Sequence, residues 1–168
     1  VNARGHKFMA HLNYAETRKT LSTIYRIPAF KWLDGWYTGA LEANDEQTDY
    51  IDINNAKLIL SRSGVINEQW SVVASINGLR ERWRYGPDEF GEYTPYEYST
   101  LTYPEARGDY VNVDDRLFPR SGVSGNLTMR GGVEGAGSDA SFTQLLLNAR
   151  WFMAPGDDSR LLLRGEAG

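Results

Sequence analysis

Apolar and polar positions alternate with a period of two along most of the chain, and no stretch carries the three-to-four-residue spacing of a helix. Residues 7–15, KFMAHLNYA, place Phe8, Ala10, Leu12 and Tyr14 on one face and Lys7, Met9, His11 and Asn13 on the other. After a polar turn at 16–19, TLSTIYRIP sets Leu21, Thr23, Tyr25 and Ile27 against Thr20, Ser22 and Arg26, so the two segments read as a hairpin. A third strand is predicted over 36–44, an acidic loop over 45–52, and a fourth strand over 53–62 with Ala56, Leu58 and Leu60 on its apolar side. Beyond a turn at 63–68, residues 69–85 predict a strand longer than globular sheets usually hold, and a Gly/Pro/acidic loop follows at 86–96. The next strand spans 98–113 with a break expected at Pro104, and 114–122 reads as a compact turn. Val123, Leu127 and Met129 then alternate with Ser124, Asn126, Thr128 and Arg130, and a Gly-rich loop covers 131–139. Over 141–153, Leu145, Leu147, Ala149 and Trp151 oppose Gln144, Asn148 and Arg150. After the turn at 155–159, RLLLRGEAG predicts a last strand.

These nine strand segments, in up-and-down order and without a linker, predict an all-β antiparallel meander. The turns at 28–35, 63–68, 114–122 and 155–159 fall at one end, and the loops at 45–52, 86–96 and 131–139 at the other. One-sided alternation suits a soluble barrel or sandwich as well as a membrane-spanning barrel, so composition has to be weighed. The hydrophobic fraction is 41% and the longest apolar run is Trp151 to Ala154, far below the about 20 residues of a spanning helix. Strand spans need only about 9–11 residues, half of them facing a lumen, and remain open. Aromatic residues make up 12% of the chain, and Trp32, Trp36, Trp70 and Trp151 all sit near turns of one end, which is where an interfacial girdle would be. On that ground, and because many strands oppose an apolar face to a Ser/Thr/Asn/Gln/Arg face, the membrane barrel is preferred. With 18 Lys plus Arg against 22 Asp plus Glu the net charge is −4, which argues against nucleic acid as partner. The absence of cysteine removes disulfides, thiolate metal sites and cysteine nucleophiles.

The segment DDRLFPRSGVSGNLTMRG (114–131), followed by 137–168, resembles the surface-antigen barrel of the outer-membrane-protein assembly superfamily, its TamA-like branch in particular. In that family a turn of the form D-D-x-L-F-P-x-x-G joins two strands on the periplasmic side. Asp114, Asp115, Leu117, Phe118, Pro119 and Gly122 match it. VNARGHKF (1–8) and TLSTIYRIP (20–28) are similar to the family's early barrel strands, and the likeness is weakest in the loops at 45–52 and 86–96. The resemblance implies that residues 1–168 hold roughly the third to eleventh strands of a sixteen-strand barrel. The family's periplasmic transport-associated domains, its V-R-G-F/Y loop and its C-terminal strands would then lie outside the sequence, and a barrel would not close from these residues alone. The implied work is to assist insertion and assembly of outer-membrane proteins, autotransporters among them, in a Gram-negative outer membrane. The implied partners are outer-membrane lipid, nascent outer-membrane protein clients and a periplasm-spanning partner of the TamB type.

Other constellations carry less chemistry. His6 and His11 are the only histidines, and no further ligand type completes a metal set. Asp45, Glu46, Asp49 and Asp52 lack the spacing of a calcium loop and read as a solvated loop. Gly131, Gly132, Gly135 and Gly137 precede no helix and no Lys-Ser/Thr pair, so they read as hairpin loop and not as a phosphate cradle. Glu105, Arg107 and Asp109 alternate on one face, opposite Ala106 and Tyr110, and with Arg130 and Arg150 are candidates for charges lining a wet lumen. Without a nucleophile or a positioned histidine, no catalytic activity and no cofactor are expected. Two other functions stay open: a passive porin-like channel, and a soluble β-barrel binding module.

Overall fold

The computed structural model describes residues 4–87, 91–156 and 159–168. Nine antiparallel strands run in chain order as a single sheet: β1 Lys7–Tyr14, β2 Arg18–Ala29, β3 Asp34–Gln47, β4 Ile51–Val65, β5 Trp70–Tyr85, β6 Glu97–Val113, β7 Gly122–Gly132, β8 Phe142–Gly156 and β9 Ser159–Ala167. Each strand pairs with its sequence neighbours, and no pairing joins β1 to β9 among the described residues. The all-β meander is thus as the alternation predicts, with no helix among the described residues.

Strand limits depart from the sequence reading mainly toward greater length, as at β2, β3, β4, β7 and β8, while β1 and β5 are each one residue shorter than expected. β4, β5 and β6 hold 15, 16 and 17 residues, against a usual strand of about 5–6. The acidic stretch at 45–52 is therefore not a loop. Asp45 and Glu46 belong to β3 and Asp52 to β4, and only 48–50 turn the chain. Cross-strand cations make this possible, since Lys19 stands 3.6 Å from Asp45, Arg18 3.8 Å from Glu46, and Arg84 3.0 Å from Asp52.

Nor does Pro104 break β6. It lies opposite Ile76 of β5, one residue beyond the point where pairing with β7 ends at Glu105–Arg130. A residue without an N–H is tolerated where a ladder stops. The free edge of β6 beyond that point is covered by the loop at 133–141, in which the Asp139 N–H donates to the Thr100 carbonyl and the Thr100 N–H donates to the Asp139 carboxylate.

Register assigns every side chain to one of two faces. One face carries Leu21, Leu41, Leu58, Leu60, Ile76, Leu127, Met129, Leu145, Leu147 and Leu163, which adjoin across the paired strands. The other carries Arg26, Thr38, Ser61, Ser75, Glu105, Arg130 and Gln144 as one continuous cross-strand row. The second face is the enclosed one. Leu58 and Leu60 are 49% and 54% exposed, whereas Asn77 and Tyr103 on the opposite face are 3% and 6% exposed. A soluble sheet shows the reverse arrangement, with apolar side chains inside.

Candidate functional site

The turn 114–121 is built by two carboxylates. Asp114 Oδ1 accepts hydrogen bonds from the N–H groups of Asp115, Arg120 and Ser121, at 3.0, 2.9 and 3.0 Å. Asp115 Oδ1 accepts from Leu117 at 2.7 Å and Phe118 at 3.2 Å. The donors to Asp114, Ser121 foremost, hold its carboxyl below the ordinary carboxylate pKa, against a smaller opposing effect of desolvation. Gly122 closes the turn with φ of +119°, and a Cβ there would collide with the Asn112 carbonyl oxygen. Only glycine fits such a backbone. Leu117 and Phe118 project 84% and 73% exposed from the end of the sheet, while Pro119 is half-buried.

Arginines tie this end together. Arg116 donates to the Glu68 carbonyl of the β4–β5 turn, and Arg120 donates to the Gly156 carbonyl of β8 at 3.2 Å. Arg62 of β4 donates to the Leu33 carbonyl of the β2–β3 turn and stands 4.9 Å from the Tyr37 ring. Each guanidinium binds the backbone of an adjacent hairpin, so the turns are braced laterally as well as along their own strands. Sequence reasoning missed these contacts. Their signal was three arginines at or beside two turns of one end.

The candidate charges Glu105, Arg107, Asp109, Arg130 and Arg150 all point to the enclosed face. Arg107 donates through Nη2 to Asp109 Oδ1 at 2.6 Å, and its Nε donates to the same carboxylate at 2.9 and 3.1 Å. Arg130 stands 3.9 Å from Glu105 across β6 and β7, and its Nε donates to Gln144 Oε1 at 2.7 Å. Arg150 lines a small hollow with Arg107, Asp109, Ser124, Asn126 and Asn148. Both carboxylates are therefore neutralised by arginine in place.

Trp70 and Trp151 stand on the outward face near the same end, with the Trp70 ring 4.8 Å from that of Tyr110. Trp32 is fully exposed in the β2–β3 turn. Trp36 departs from the expected girdle. It pairs with Ser63 on the enclosed face, where the Lys7 ammonium lies 4.6 Å from its ring. The period-two rule decides this, since Tyr37, one residue on, takes the outward position.

His6 and His11 do not come together: His11 is on β1, and His6 Nδ1 shares a 2.7 Å hydrogen bond with the Tyr25 hydroxyl. No cluster of three or more potential metal ligands occurs among the described residues.

At the opposite end, residues 91–96 fold back onto β4 and β5. The Tyr96 hydroxyl donates to Asp52 Oδ2 at 3.0 Å, and Arg84 is bonded to the same oxygen at 3.0 Å. Arg82 and Arg84 each lie 4.5 Å from the Tyr96 ring, and Arg84 lies 4.4 Å from that of Tyr93. Desolvation first, and then the bond to Asp52, push the Tyr96 phenol above its ordinary pKa.

No family model matches the chain, and no curated protein matches it by sequence. Among solved structures, the chain is similar to the crystal structure of BamA from Haemophilus ducreyi lacking POTRA domains 1-3. The two share a TM-score of 0.75 at 12% sequence identity, over 92% of this chain and 33% of the other. The chain thus spans about a third of the length of that structure, and what the two share is the fold: a meander of the BamA barrel type.

Proposed function

We propose that this chain is part of an outer-membrane β-barrel that assists insertion and assembly of outer-membrane proteins, autotransporters among them. One observation carries the membrane half of that reading. Across the middle of the sheet the outward side chains are apolar on strand after strand, while Glu105, Arg107, Asp109, Arg130 and the amides of Gln144 and Asn148 are turned inward. The outward charges stand toward the strand ends, Arg62 at one and Lys19, Asp45, Asp52, Arg80, Arg82 and Arg84 toward the other. Such a sheet satisfies its side chains only with hydrocarbon outside and water inside. The assembly half is supported by the similarity to the BamA barrel fold and by the match of Asp114, Asp115, Leu117, Phe118, Pro119 and Gly122 to the periplasmic turn of TamA-like barrels. The turn, braced by Arg116 and Arg120, would then face the periplasm, toward a partner of the TamB type. The connections between β5 and β6 and between β7 and β8, the longest in sequence, would face outward from the cell. Work of this kind uses strand pairing, a locally thinned bilayer and a hydrated lumen, and no reactive side chain is assigned a step.

The competing reading, a passive channel, draws on the polar row of the enclosed face. The two separate in one experiment on cells lacking the full-length protein. Reduced folding of an autotransporter barrel, with unchanged uptake of small solutes, supports assembly. Unimpaired client folding with slower solute uptake overturns it in favour of a channel.

A further inference from the structure

On β5 the outward run Val72, Ala74, Ile76 and Gly78 is followed on the same face by Arg80, Arg82 and Arg84. The run starts at Trp70, and ten residues separate Trp70 from Arg80. At about 3.4 Å per residue that is about 34 Å along the strand, or about 26 Å along the membrane normal for a strand tilted by about 40°. The apolar band of an outer-membrane barrel is about 25 Å tall. With Trp70 at one boundary, Arg80 therefore stands at the other, at headgroup level, and Arg82 just beyond it.

No ion pair among the described residues neutralises these two. The outward neighbours of Arg80 are Ala56 and Thr100, and those of Arg82 are Asn54 and Tyr98. Asp45, on the strand beyond Asn54, is engaged by Lys19, and Asp52 is engaged by Arg84 and Tyr96. Stacking on Tyr96 holds the Arg82 guanidinium in place without cancelling its charge. Two guanidinium groups two residues apart on one face, neither in an ion pair among the described residues, form a local site for a polyanion.

Resting on the orientation given under the proposed function, we propose that Arg80 and Arg82 bind the phosphate groups of a phosphorylated glycolipid of the outer leaflet. Its acyl chains would lie along Ile76, Leu58 and Pro104. Charge complementarity and the match in height both select a lipid-borne phosphate.

The test uses the full-length protein in detergent micelles, with lipid retention counted by native mass spectrometry. The probes are bisphosphorylated lipid A, the same lipid after dephosphorylation, phosphatidylcholine and inorganic phosphate. The expected result is selective retention of the bisphosphorylated lipid, weakened about tenfold or more in the double variant Arg80→Gln/Arg82→Gln. It should be unchanged in Arg164→Gln on the enclosed face. Equal retention of the dephosphorylated lipid, no loss in the double variant, or displacement by millimolar inorganic phosphate overturns the proposal. Each of those results leaves the barrel reading standing. Failure of the protein to give a heat-modifiable, bilayer-inserted form would instead remove the barrel reading, and this proposal with it.

Discussion

On β8, Leu147 stands outward and 47% exposed, while its neighbour Asn148 points to the enclosed face among Ser124, Asn126 and Arg150. The two positions share a backbone, a strand and a depth, and differ only in the face they occupy. What separates them is solvent. An exposed leucine repeated at Leu145, Leu127, Leu60 and Leu58 has no protein partner to bury it, so its environment must be apolar. The enclosed face contributes specific polar pairs instead, such as Arg107–Asp109 and Arg130–Gln144.

The sharpest way to break this comparison is to place the same charge on both sides. Leu147→Arg is expected to cost about 2–4 kcal/mol near the bilayer midplane, and Asn148→Arg little. Urea titration of the full-length protein in liposomes checks this, and equal costs would remove the distinction between the faces. The next effect concerns the turn that holds β6 and β7 in register. Gly122→Ala forces a side chain into a left-handed backbone and against the Asn112 carbonyl. A cost of about 1–3 kcal/mol is expected in the same titration. Gly165→Ala, where a Cβ meets nothing within 4 Å, serves as the control and should change stability far less.

Asp114 supplies a pH signature for the same turn. Its folded-state pKa is depressed by the N–H groups of Ser121, Arg120 and Asp115, so its contribution is present above the unfolded-state value of 3.8. That contribution is lost as pH falls from there through the lower folded-state value. Asp114→Asn should therefore flatten the acid limb of stability against pH below about 4. An unchanged acid limb would show that the carboxylate is not what braces the turn. The smallest effect is expected inside. Arg107→Gln removes a pair in which the arginine is 48% exposed, and a loss of about 0–1 kcal/mol is expected. A larger loss would mean that the enclosed face is drier than a water-filled lumen.

Much of this could be read before any coordinates. Strand number, order and the assignment of residues such as Leu145 and Gln144 to opposite faces follow from a period of two, which the peptide backbone imposes whatever the surroundings. The reading failed where a local cue was answered by a partner distant in sequence. The acidic residues of 45–52 looked like loop because Arg18, Lys19 and Arg84, which pair with them, are up to 32 residues away in sequence. Trp36 looked like girdle because nearness to a turn does not fix the face. Pro104 looked like a break because the end of the β6–β7 ladder is invisible until register is known.

The Asp114 turn shows both sides of the division. Its two aspartates and Gly122 are local, and a short segment carries the whole hydrogen-bond pattern. The Arg116 and Arg120 clasps reach Glu68 and Gly156, 48 and 36 residues away. By itself the sequence determined a meander with one apolar and one polar face, because alternation is a property of consecutive residues. Only the tertiary structure decided which face is enclosed and which carboxylates are neutralised. Curvature and cross-strand register bring together residues that no local rule connects.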